Sequence, residues 1–208
     1  MTIVRGRSLE LYYVDGRPDG LLTAELFNWT GHVLKTPRQQ IKAALSRAES
    51  SYTGVYLLTA EHDGKLRVYV GEGEDIAIRI STHEQKKDWW TAAVLVTTVA
   101  NKLNKAHAKY LEARLLERAR SVGHAKLDNE KNPKRPTLSE ADIAKMETFL
   151  DNLFIVLPAL RIDVFVERTR PSLGDGGGPT PQQTDARYTS AIPLSLIHIS
   201  EPTRQAEI

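Results

Sequence analysis

TGVYLLTAEHDGKLRVYVGEGEDIAIRISTH, residues 53–83, decides the fold. Residues 55–59 and 66–70 are β-branched and aromatic runs joined across Asp63-Gly64, a dipeptide that favours the tight turn of a hairpin. Each predicted strand carries one tyrosine, Tyr56 and Tyr69. Gly71-Glu72-Gly73 breaks the second strand, and Glu74-Asp75 place acidic residues at the positive end of a helix that begins directly afterwards. On that helix Ile76, Ile80 and His83 share one stripe, with Arg79 at its edge and one turn before His83, so guanidinium and imidazole project from the same side.

Working outward, residues 86–90 (KKDWW) lead into residues 92–98 (AAVLVTT), a continuous apolar run of strand length that predicts a third strand. The two tryptophans at its entrance read as packing anchors or as one wall of a nucleic-acid groove. Residues 104–122 predict a long helix whose core-facing stripe is Ala108, Leu111, Leu115, Leu116 and Ala119. Glu112 falls within that stripe. An unpaired ion turned inward costs several kcal/mol or more, so the residue requires an arginine such as Arg79, a proton or a divalent cation.

The triplets Gly54-Val55-Tyr56 and Tyr69-Val70-Gly71, an arginine ten residues after the second tyrosine, a histidine four further on and an inward-facing glutamate resemble the GIY-YIG nucleases, with Val for Ile in both triplets. The resemblance covers roughly residues 53–129. It implies an α+β domain with a small three-stranded antiparallel sheet flanked by helices. It further implies a metal-dependent endonuclease acting on DNA, with Tyr56, Tyr69, Arg79, His83, Glu112 and Asn129 as site residues. Glu112 would be the metal ligand, one of the two tyrosines the base or water-positioner, and Asn129 a residue that holds the site together. A single carboxylate with waters suits Mg2+, or Mn2+ in its place. The competing expectation is a non-catalytic nucleic-acid-binding or protein-interaction module in which Glu112 is paired with Arg79. A small-molecule enzyme finds no cofactor fingerprint, because Gly71-x-Gly73 lacks the third glycine and a βαβ setting.

The 208 residues carry a formal net charge of only +2. Residues 100–136, however, hold ten Lys/Arg against four Asp/Glu, a local excess that reads as a phosphate-binding patch or as a solvated helix face. Lys102, Lys105 and Arg118 are the candidate backbone contacts, and neutralising them is expected to flatten the salt dependence of binding. The absence of cysteine excludes disulfides, thiolate metal sites and cysteine nucleophiles. No apolar run approaches membrane-spanning length and no signal-peptide pattern opens the chain, so a cytoplasmic location is expected.

Residues 1–50 read as an accessory β-hairpin plus helix, with strands at 8–14 and 21–27. The helix is expected to open at Thr36-Pro37 and to run to about Ala48. Trp29 between them is either a core plug or a stacking platform. The nuclease-like unit then spans 51–136. In 137–168, Ser139 and Asp142 predict a capped helix to about Leu157, stopped by Pro158, and residues 161–166 read as a closing strand. Residues 169–208 read as a flexible tail, Pro/Gly-rich at 171–183. Its stretch LSLIHISEPTR, 194–204, resembles the conceptual translation of a transposon-end sequencing adapter, so an artefact is expected there and His198 is recruited to no site.

Overall fold

The computed structural model describes residues 6–62, 64–130 and 133–167. Asp63 of the hairpin turn and the whole tail beyond residue 167, including the linker and adapter-like stretches, lie outside them. The hairpin forms as expected, from β4 (Gly54–His62) and β5 (Lys65–Gly73), paired from Gly54 opposite Gly73 to His62 opposite Lys65. The third predicted strand is β6 (Ala92–Thr98), antiparallel to β4 on its other side.

The expectation of a small three-stranded antiparallel sheet is overturned: among the described residues the sheet has seven strands, in the order β1-β2-β3-β6-β4-β5-β7, and is mixed. Here β1 is Leu9–Tyr13, β2 Leu22–Leu26, β3 Gly31–Pro37 and β7 Lys126–Leu127. Only β7 runs parallel to its neighbour, β5. The physical reason lies in β6, whose side chains are buried on both faces. A strand of that kind needs a partner on each side. GHVLKTP supplies it, pairing from Gly31 opposite Thr98 to Pro37 opposite Ala92. The Thr36-Pro37 signal for a helix start therefore ends a strand, where proline's missing donor costs little. The expected helix shrinks to α1 (Ile41–Leu45) after a 3-10 turn at Arg38–Gln40. Since β3 joins the N-terminal strands to β6, no break in the sheet falls at residue 50.

Each face of the sheet has its own core. Val55, Leu57, Val68, Val70, Val94 and Val96 face α3 (Lys105–Val122) and α4 (Glu140–Ala159). Leu34, Tyr56, Leu58, Ala93 and Leu95 face α1 and α2 (Ile76–Lys86) through Ile41, Ile76 and Ile80. The helix starts follow the sequence signals: Asp75 accepts from the Ile78 N–H, Asn104 from His107 and Ser139 from Asp142. Pro158 lies one residue inside the end of α4. The expected closing strand at 161–166 is a turn instead, with Ile162, Val164 and Phe165 buried.

Two further features fix the position of α3. Between β6 and α3, Ala100 and Asn101 take left-handed φ values of 59° and 49°. Asn101 Oδ1 accepts from the Thr53 N–H at 2.9 Å, tying this corner to the start of the hairpin. On its far side α3 is clamped to α4 by Arg114, whose Nε and Nη2 donate to both Glu147 oxygens at 2.6 and 2.7 Å. That fork favours one rotation of the helix. No helix among the described residues is long and apolar enough to cross a membrane.

Candidate functional site

The hairpin places Tyr56 on the α2 face, opposite Gly71. A Cβ at 71 would overlap the Tyr56 phenol. The glycine of the second triplet is therefore required by the tyrosine of the first, whose ring lies across the neighbouring strand. Tyr69 lies on the same face, and α2 brings His83 down onto both. The Tyr69 and His83 ring centres are 4.8 Å apart, Tyr56 and His83 5.8 Å, and the two phenols 6.3 Å.

Burial grades the two phenols. Tyr56 is fully buried, and among the described residues its hydroxyl has no hydrogen-bond partner. Burial above all, with the adjacent Tyr69 next, pushes Tyr56 well above the ordinary phenol range. Tyr69 is half-buried and is also raised, first by burial and then by the Glu112 charge, with Arg79 working against both. His83 is lowered by burial and by Lys87 and Arg79, so its imidazole is neutral at neutral pH. Its Nδ1 is buried without a partner among the described residues.

Glu112 reaches this group from α3. Its carboxyl is pushed up to about 7, by burial first and by the charge of Glu72 second, with Arg79 and Lys109 only partly offsetting them. Among the described residues it has no hydrogen bond and no ion pair, so the structural salt bridge to Arg79 does not form. Arg79 is exposed and donates from Nε to the Glu72 carbonyl at 3.2 Å. That bond holds the arginine stem against Gly73, where an added Cβ would come within 2.7 Å of Arg79 Cγ.

An open cleft of about 560 Å3 is lined by Tyr69, Lys87, Glu112, Asp128, Asn129, Glu130 and Pro133. Its outer wall depends on Asn129. After the two paired residues of β7, the Asn129 side chain continues the ladder along β5: Oδ1 accepts from the Val70 N–H at 2.9 Å and Nδ2 donates to the Val70 carbonyl at 2.7 Å. Next to it, Asp128 collects Arg67 and Lys87, the latter at 2.6 Å. Burial would raise the Asp128 carboxyl, but these two cations outweigh it and hold it low. The Lys87 ammonium also sits 4.7 Å above the Tyr69 ring.

Sequence reasoning missed Glu72, Lys87, Asp128 and Arg67. Glu72 directly follows the second triplet and Asp128 adjoins Asn129, but strand alternation alone marks both as ordinary solvated positions. The candidate phosphate contacts are not brought together. Lys105 lies on the Glu112 side of α3, paired with Glu74 at 2.8 Å. Lys102 lines a separate cavity with Trp29, His107 and Phe149, and Trp29 packs on Phe149 at 5.0 Å. Arg118 is engaged by the Phe165 carbonyl and Glu167. Trp90 is buried and Trp89 lies 4.2 Å beneath the Arg67 guanidinium.

The donor set fits only a loosely held, oxygen-bound divalent ion. Glu112 is a desolvated carboxylate beside a second acid, Glu72, and a dication is what would favour its ionised form. No group of three or more His, Asp or Glu positioned to hold a metal occurs among the described residues, so the site would be open and largely hydrated. Compared with protein-family models, curated proteins and solved structures, the chain matches none.

Proposed function

We propose that the protein is a phosphodiester hydrolase acting on DNA, a metal-dependent endonuclease of the GIY-YIG type, working in the cytoplasm. The observation that carries the reading is Glu112: a carboxyl with no partner among the described residues, raised to about 7, on a cleft beside Tyr69 and within the field of Arg79. Stability alone gives no reason for such a group, and a site that needs a cation does.

Glu112 would hold Mg2+ or Mn2+, which when bound acts as a Lewis acid on a phosphate oxygen and eases departure of the leaving oxygen. Arg79 offers its terminal nitrogens to the same phosphate, a planar fork that stabilises charge developing on the non-bridging oxygens. Tyr69 is the phenol that meets substrate, because it lines the cleft while Tyr56 is wholly covered; it orients the attacking water. Both phenols are held protonated, so neutral His83 is the better proton acceptor. The water oxygen bonds to phosphorus, its proton passes towards His83, and the bond to the departing sugar oxygen breaks.

That the described residues hold no three-ligand metal group favours the competing reading, a non-catalytic nucleic-acid-binding or protein-interaction module on the same fold. The two are separated by incubating supercoiled plasmid with the protein and Mg2+ or Mn2+, with and without EDTA. Cleavage that requires the ion and is lost in Glu112→Ala, while DNA binding persists, is the expected outcome. Cleavage unchanged by Glu112→Ala overturns the assignment of the site, and no cleavage by the wild-type protein leaves the binding module.

A further inference from the structure

The two ends of the sheet are finished differently. At β7 the ladder stops after two residues and side chains take over. At β1 it stops at a five-residue strand that is exposed along nearly its whole length. Leu9–Tyr13 contains no lysine, proline or bulge, the usual protections of an edge strand. Leu11 is 37% exposed, Tyr13 40% and Tyr12 59%.

The register shows which backbone groups are free. Ser8 bonds Phe27, and Val14 bonds Leu21, in the same ladder that sets Leu11 opposite Ala24. Alternation along an antiparallel pair therefore turns the N–H and C=O groups of Leu9, Leu11 and Tyr13 away from β2, towards the open edge. The side chains of these three residues stand on the α3/α4 face, since they oppose Leu26, Ala24 and Leu22.

We propose that β1 pairs antiparallel with β1 of a second copy of this chain, about a two-fold axis at Leu11, joining two sheets into one. With Leu11 opposite Leu11, Leu9 meets the Tyr13 position of the second copy, and the outward groups close about six backbone hydrogen bonds. The pattern is self-complementary on both faces. Leu9, Leu11 and Tyr13 form one apolar row against the same row reversed, and on the other face Glu10 lies opposite Tyr12, so the two Glu10 carboxylates do not meet. An isologous contact of this kind is what a closed dimer requires.

Sedimentation velocity of the full chain tests the pairing through the residue on the axis. Wild type is expected at twice the chain mass. Leu11→Lys and Leu11→Glu each place like charges opposite each other and are expected to sediment at the mass of one chain; an equal mixture of the two is expected to return to twice that mass. Circular dichroism confirms that each variant is folded, since the replaced side chain is exposed. A monomeric wild type, a dimer insensitive to either substitution, or a mixture that stays monomeric would each overturn the proposal, the first leaving the edge to a strand of a different protein.

Discussion

The edge beyond β5 and the edge at β1 belong to one sheet yet have opposite chemistry. Beyond β5, outward backbone groups beside the cleft are met by polar groups: Asp128 N–H bonds the Val68 carbonyl and Asn129 bonds both groups of Val70, while Asp128, Lys87 and Arg67 form a fixed ionic cluster. At β1 the side chains are two leucines, two tyrosines and Glu10, and the outward groups are unmet by any described residue. An edge closed by side chains leaves a cleft with fixed dipoles, where charge can be stabilised. An edge left as bare strand offers only more strand. The contrast separates the place where chemistry is expected from the place where association is expected.

The sharpest way to break that contrast is to exchange polar for polar at one edge and aromatic for polar at the other. Arg79→Lys keeps the charge and loses the fork, and cleavage should fall by about 10²-fold or more. Tyr12→Ser removes an exposed ring from β1 and should leave the cleavage rate of the assembled protein unchanged. Plasmid-nicking rates under matched Mg2+ check both. Equal losses would mean that the two edges are not functionally distinct.

Asn129→Ala should have the next largest effect. It strands the N–H and C=O of Val70, a fully buried residue, and about 1–3 kcal/mol of stability should be lost. Urea denaturation reads the loss, and hydrogen exchange at Val70 should locate it. An unprotected Val70 amide in the wild-type protein would show that the side-chain extension of the ladder is not closed in solution.

The smallest effect sharpens the electrostatic side of the comparison. The Glu112 carboxyl titrates near 7 when folded and near its ordinary 4.5 when unfolded. Between those values the folded chain keeps a proton that the unfolded chain has released, so stability falls as pH rises through this window. Glu112→Gln cannot titrate and should flatten the slope, measured by urea unfolding at about pH 5 and about pH 7.5. His83, whose pKa is lowered, acts in the opposite sense towards acid pH, so the difference between the two proteins is the quantity to compare. Equal slopes would show that the glutamate is not desolvated.

How much of this was legible in the chain depends on how local each signal is. The hairpin, α2, β6 and α3 follow from Asp63-Gly64, from strand-length apolar runs and from caps within three residues of the helices they start. Glu112 was legible because it interrupts an otherwise apolar stripe. The seven-stranded sheet was not legible, since β3 is recruited by the two-sided burial of β6, about sixty residues away, against a local Thr-Pro signal for helix. The two residues of β7 are too few to show any periodicity. Asn129 was singled out only through the family resemblance; that its amide would serve as a strand residue depends on register with Val70, which no local pattern encodes. Glu72 became visible only when α3 was laid beside β5.

The left-handed corner at Ala100 and Asn101 acts as the zero mark of a ruler. From it the chain steps to the Asn104 cap and then two turns along α3 to Glu112, each residue advancing the azimuth by about 100°. Adding or deleting one residue in this interval would swing the carboxylate out of the cleft and turn Leu111, Leu115 and Leu116 off the sheet with it. Side chains along the outer surface of that interval are free to vary; its length is not.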